Sequence, residues 1–180
     1  MNIFSDLHNK ELSDFLDKVL NNYYDKVITK NLSINFNKDG IELINANYKE
    51  AVSISVDFLD QAINDKIKLR FSGKKDIFNK LFPIKNSTLL DCTAGYGRDS
   101  YILRSMGFNV TMIENSPVMS LLLNNALKKL KLSNFTMYHG NSYDYLSHSK
   151  KYYDYIYIDF MFNKLKKNSL SSKNDETLKL

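Results

Sequence analysis

Residues 88–100 read Thr88-Leu89-Leu90-Asp91-Cys92-Thr93-Ala94-Gly95-Tyr96-Gly97-Arg98-Asp99-Ser100. Thr88–Cys92 is a short apolar run that ends at an acid. Thr93–Arg98 is a loop of small residues, and Asp99–Met106 carries helical spacing. Strand, glycine loop and helix in that order open a layered α/β sheet. The unit then repeats. Phe108–Glu114 (FNVTMIE) is a second strand ending in an acid, and Pro117–Leu130 is a helix with Ser116 as N-cap and proline in its first turn. Asn134–His139 is a third strand, Ser142–Leu146 a short helix, and Tyr153–Asp159 (YDYIYID) a fourth strand, again with a terminal acid. Strands alternating with helices at this spacing predict a Rossmann-like, doubly wound and mostly parallel sheet.

Upstream the pattern is weaker. Leu12, Phe15, Leu16, Val19 and Leu20 fall at helical spacing, so about 9–22 is expected to be an amphipathic helix. Residues 40–45 (GIELIN) and 52–58 (VSISVDF) alternate like half-buried strands. Lys66, Lys68, Arg70, Lys74 and Lys75 form a basic stretch with Gly73 at its turn, and residues 76–82 give one or two helical turns before Pro83. The expected organisation is an N-terminal α/β extension over 1–75, a core over 76–162 and a polar tail over 163–180.

Composition narrows the class. The 180 residues are 43% hydrophobic, enough for one core, and contain no apolar run of about 18 residues that could span a membrane. The first residues carry acids and lack a secretory apolar segment, so a cytoplasmic location is expected. The single cysteine, Cys92, excludes an internal disulfide and a cysteine zinc cluster. His8, His139 and His148 lack ligand spacing, so no metal is expected. The net charge of +5 tilts the choice of partner towards nucleic acid, although a lysine-rich, asparagine-rich composition explains it equally well.

In an open parallel sheet, ligands sit beyond the carboxyl ends of the strands. Four features converge there. Asp91-x-x-x-Gly95-x-Gly97 lets backbone approach a ligand closely, and its spacing is not the dinucleotide G-x-G-x-x-G. Glu114, 17 residues after Gly97, can accept both hydroxyls of a ribose. Gly140-Asn141-Ser142 is a polar loop suited to an adenine edge, or a plain helix cap. Asp159-Phe160-Met161-Phe162 puts an acid three residues before an aromatic. The acid can orient an exocyclic amine and the ring can stack on its base. The alternative is that Phe160 and Phe162 simply cap the core.

Together these features are the layout of a methyltransferase that uses S-adenosyl-L-methionine. The strings Thr93-Ala-Gly-Tyr-Gly-Arg-Asp99 and Met112-Ile-Glu-Asn-Ser-Pro-Val118, with Leu121–Leu123, resemble the bacterial ribosomal small-subunit methyltransferase J family. Ile54-Ser-Val-Asp-Phe58 and the basic run to Phe71 and Gly73 extend the likeness over about residues 48 to 180. The resemblance implies transfer of a methyl group to the N2 amine of guanine 1516 in 16S rRNA, free or in the small subunit. It implies cofactor contacts at Asp91, Gly95, Gly97, Arg98, Asp99, Glu114, Asn115, Asn141, Ser142 and Asp159. Asp159 and Phe162 would be catalytic, and Lys66, Lys68, Arg70, Lys74 and Lys75 would contact RNA.

Two departures stand out. The family's D-P-M-F/Y-P motif has lost both prolines here, to Phe160 and Asn163. The family also continues beyond the position aligned with Leu180, so C-terminal strands are expected to be missing and the flank of the fourth strand bare. Two other functions stay open: a non-catalytic remnant that keeps the fold, and a methyltransferase with a small-molecule or protein acceptor. Oligomeric state does not follow from the sequence.

Overall fold

The structure, a computed structural model, describes residues 2–5, 32–37, 40–71, 77–130 and 134–159. The chain divides into two compact units, one holding residues up to Val56 and 162–180, the other Asp57–Met161.

In the first unit, strands β1 (Asn2–Ser5), β2 (Leu32–Asn37), β3 (Gly40–Asn45) and β4 (Val52–Ile54) form a sheet in that order. β1 runs parallel to β2, and the other pairs are antiparallel. Ile34 faces Leu43 and Leu43 faces Ile54, so one buried apolar row crosses three strands. On the other face, Glu42 accepts hydrogen bonds from Asn35 Nδ2 at 2.7 Å and from the Ser53 hydroxyl, which hold its carboxyl below the usual range. The expected strand at 52–58 is shorter than its alternation suggested, and the expected helix at 9–22 lies outside the described residues.

The second unit begins with α1 (Gln61–Phe71) and α2 (Ile77–Leu81). The division precedes the expected 75/76 boundary because Phe58 belongs to this core. Its ring, 1% exposed, stacks on Tyr101 at 4.9 Å and packs on Phe135 at 5.9 Å. Lys66, Lys68 and Arg70 of the basic stretch lie on helix α1. Asp60 caps it by accepting from the Ala62 N–H at 2.8 Å.

There follow β5 (Thr88–Asp91), α3 (Arg98–Ser105), β6 (Asn109–Glu114), α4 (Pro117–Leu130), β7 (Phe135–His139), α5 (Ser142–His148) and β8 (Tyr155–Tyr157). All four strands are parallel, in the order β7-β6-β5-β8. The order reverses at β5, so the switch point lies between β5 and β8, as expected for a doubly wound sheet. Successive residues of a strand point to opposite faces. Leu89 and Leu90 are both fully buried, as are Met112 and Ile113, so both faces of β5 and β6 are covered. α4 begins as the sequence suggested: the Met119 N–H lies 3.4 Å from the Ser116 hydroxyl, with Pro117 in the first turn. Its residues Leu121, Leu122, Leu123 and Ala126 are buried. At the amino end of the sheet the Asp154 carboxylate accepts from both the N–H and the hydroxyl of Thr88, each at 2.7 Å, which holds its carboxyl low.

No helix among the described residues is long and apolar enough to cross a membrane.

Candidate active site at the carboxyl edge of the parallel sheet

The carboxyl ends of β5, β6, β7 and β8 bring the expected loops together. The loop after β5 is the most constrained. Gly97 caps α3 with φ 67° and is buried. A Cβ there would lie 2.7 Å from Leu123 Cδ2 and 3.0 Å from Phe58 Cζ, so both backbone angle and space demand glycine. Gly95, with φ 51°, is different: the nearest atom to its would-be Cβ is the Thr93 carbonyl at 3.9 Å. A side chain there would meet only that one ordinary contact.

Asp91 lies beneath this loop and is 1% exposed. One oxygen accepts from the Ser100 hydroxyl at 2.6 Å, the other from the Thr93 N–H at 2.9 Å. Burial pushes its carboxyl up to about 6 against those two hydrogen bonds, and the charges of Asp99 and Glu114 add to the rise. Asp91, expected among the cofactor contacts, lies under the loop with both oxygens hydrogen-bonded to it and to α3. Cys92 is also buried, and burial raises its thiol.

Glu114, half-buried at the end of β6, is held by two backbone donors. Oε2 accepts from the Gly95 N–H at 2.8 Å and Oε1 from the Ser116 N–H at 2.7 Å. A carboxylate has roughly four lone-pair sites, so about two remain for ribose hydroxyls. Asn115 follows it and is exposed. Gly140, with φ 148°, donates its N–H to the Glu114 carbonyl at 2.9 Å. Asn141 caps α5 by accepting from the Tyr143 N–H at 2.8 Å, and Ser142 opens that helix.

Arg98 is exposed, its guanidinium 5.1 Å from the centre of the Tyr96 ring. Asp99, one residue on, accepts a hydrogen bond from the Tyr157 hydroxyl at 2.8 Å. Asp159 is exposed, and its N–H donates to the Thr93 hydroxyl at 2.8 Å, which ties the loop after β8 to the loop after β5. Thr93, Ser100 and Tyr157 were not singled out from sequence. Thr93 and Ser100 stood only as members of the glycine string, and Tyr157 as one of the alternating tyrosines of YDYIYID.

Lys66 and Lys68 are exposed on α1, and Lys68 lies 3.7 Å from Asp65. Such an exposed pair is worth about 0–1 kcal/mol, so both lysines remain available to phosphates. The side chain of Arg70, and Lys74, Lys75 and Phe162 altogether, lie outside the described residues. Among the described residues no cluster of histidine, cysteine and acidic side chains could hold a metal ion.

A carboxylate held against a glycine loop, at the carboxyl edge of a four-stranded parallel sheet, is the arrangement of an α/β domain of the methyltransferase type. Residues 23–179 match the model of the family described as "Putative SAM-dependent methyltransferase", and the chain belongs to that family. It is 33% identical to ribosomal RNA small subunit methyltransferase J of Alteromonas mediterranea over 141 residues, 73% of this chain and 54% of that protein. It is 32% identical to the protein of the same name from Coxiella burnetii over 153 residues, 80% of this chain and 60% of the relative. The chain thus spans somewhat more than half the length of these relatives. The crystal structure of a SAM-dependent methyltransferase from Neisseria gonorrhoeae shares the fold, with a TM-score of 0.63 and 19% identity, over 90% of this chain and 70% of that one.

Proposed function

We propose that the chain transfers a methyl group from S-adenosyl-L-methionine to the N2 amine of a guanine in 16S rRNA, at the position equivalent to 1516. The observation that carries this reading is the tether between Thr93 and Asp159, which sets a free carboxylate beside the cofactor loop. Likeness to relatives named for the small-subunit rRNA supports the choice of acceptor and, with it, a cytoplasmic place of work.

The cofactor, when bound, supplies a methyl group on a positively charged sulfur. The chain's own residues then place and exclude. Glu114 accepts the ribose hydroxyls, with Asn115 beside it. Asn141 and Ser142 flank the adenine, and Gly95 lets the backbone come close. Arg98 and Asp99 take the amino-acid end. Asp159 accepts a hydrogen bond from the guanine amine, turns its lone pair towards the methyl group and takes its proton after transfer. Phe162 stacks on the base, worth about 1–3 kcal/mol, once it is unstacked from the RNA. Lys66, Lys68, Arg70, Lys74 and Lys75 hold phosphates. Most of the rate gain is placement, up to roughly 7–11 kcal/mol in well-oriented systems.

The test has two steps: calorimetric titration of the chain with S-adenosyl-L-methionine, then transfer of labelled methyl to 16S rRNA with the product nucleoside identified. Saturable binding and N2-methylguanosine are expected. A folded chain without binding would overturn the enzyme reading, and binding with label on another acceptor would overturn the choice of substrate.

A further inference from the structure

Tyr157 is held more firmly than a strand residue of a half-covered edge requires. Its carbonyl accepts from the Cys92 N–H at 2.9 Å, which locks its main chain to β5. Its ring meets Phe78 edge-on at 5.9 Å, and Phe82 lies at 6.2 Å. The hydroxyl is thereby aimed from β8 at the first turn of α3, where it donates to Asp99 Oδ2 at 2.8 Å. Burial, and then the bond to Asp99, raise the phenol well above its ordinary range, so it stays a donor at all working pH values. One carboxylate oxygen of Asp99 is fixed in this way. Arg98, the preceding residue in the same helical turn, is exposed, with its guanidinium 5.1 Å from the Tyr96 ring. An acid and a guanidinium on consecutive residues match the two charges of an amino-acid zwitterion, ammonium to Asp99 and carboxylate to Arg98.

We infer that Tyr157 is a positioning residue that aims Asp99 at the ammonium of the cofactor's methionine part, and so makes the site select cofactors that carry an amino acid. The inference rests on the proposed cofactor. Tyr157 touches no ligand and acts only through Asp99.

Tyr157→Phe tests it, because the ring and its packing remain and only the hydroxyl goes. The probes are S-adenosyl-L-homocysteine, which carries the amino-acid part, and 5′-methylthioadenosine, which lacks it. Both are titrated calorimetrically, with thermal melting as a check on folding. Tyr157→Phe should weaken S-adenosyl-L-homocysteine about tenfold, the scale of a hydrogen bond to a charged group. Methylthioadenosine should change less than about twofold. In an Asp99→Asn background the same change at Tyr157 should have little further effect. Equal loss for both probes would mean that the hydroxyl supports the whole pocket, and no loss for either would mean that it supports nothing there. Either result overturns the inference while leaving the cofactor reading intact. A wild-type chain that binds neither probe overturns both. If Tyr157→Phe melts at room temperature, Asp99→Asn alone decides: selective loss of the amino-acid probe is required, and its absence removes the inference.

Discussion

Glu114 and Gly95 are joined across two neighbouring parallel strands by a 2.8 Å hydrogen bond from the glycine N–H to the glutamate Oε2. Because Oε1 is taken by the Ser116 N–H, both oxygens must be acceptors. Glutamine can satisfy only one of the two donors, since its amide nitrogen would face the other. Glu114→Gln should therefore behave nearly as badly as Glu114→Ala. Each should lower cofactor affinity at least about tenfold and cost about 1–3 kcal/mol of stability. Calorimetry and urea unfolding check this together. A Gln variant with wild-type affinity would contradict it.

The two glycines of the loop should separate stability from binding. Gly97→Ala combines a left-handed backbone with contacts at 2.7 and 3.0 Å, so a loss of about 2–4 kcal/mol is expected. Gly95→Ala meets only an ordinary contact at 3.9 Å and should cost about 1–2 kcal/mol, from its left-handed backbone. On the proposed reading Gly95 lies against the cofactor, so the loss should fall mainly on affinity. Thermal melts set beside titrations distinguish the two.

Asp91 gives the unit a pH dependence of a definite sign. The folded carboxyl titrates at about 6 and the unfolded one near 3.8. Between those values the folded state holds the extra proton. The stability from Asp91 is complete below about pH 4, falls as pH rises to about 6, and is flat above. The whole change is on the order of 3 kcal/mol. Asp91→Asn removes this slope and keeps both partners, because the Ser100 hydroxyl can turn and accept from the amide. The variant should be more stable than wild type at pH 7 and gain little at pH 4. Urea midpoints at the two pH values decide the matter.

Asp159 is anchored through its main chain, not its side chain. Asp159→Asn should leave the loop in place and cofactor affinity within a few-fold. Methyl transfer should fall about 10²–10⁴-fold, the usual scale for a lost acid–base group. Single-turnover methylation at saturating cofactor is the measurement. A drop in affinity equal to the drop in rate would contradict the assignment.

Much of this was readable from the chain because parallel strands announce themselves. Strands β5 and β6 are short runs buried on both faces that end in an acid, β8 stops two residues before one, and Ser116 with Pro117 marks the start of α4. β1 and β2 were missed because Asn2–Ser5 and Leu32–Asn37 are short and rich in asparagine and serine, residues depleted from or neutral in strands. The helix Gln61–Phe71 was obscured by its lysines, although Asp60 carried the cap signal. Asp91 and Glu114 were legible as strand termini, and Asp99 as part of the glycine string. The hydroxyls that hold them were not, because Ser100 and Tyr157 act across elements 9 and 58 residues apart, which no local pattern records.

The exposed lysines of α1 carry the RNA part of the reading. Lys66→Glu with Lys68→Glu should weaken 16S rRNA binding and flatten its dependence on salt, by about one unit of slope for each phosphate no longer neutralised. Cofactor affinity should not move. An unchanged salt slope would remove these two residues from the RNA surface.

The Thr88–Asp154 clasp has a consequence for the order of assembly. It joins residues 66 apart, whereas β6 and β7 find their partners through single helical crossovers. On a growing chain, made at roughly 5–20 residues per second, β5, β6 and β7 can associate before Asp154 is synthesised. During that interval β5 offers an unpaired hydrogen-bonding edge, the kind that invites the wrong strand. Docking of β8 closes that edge in the same event that brings Asp159 to Thr93, so a nascent chain joins these two loops only as it loses its exposed strand.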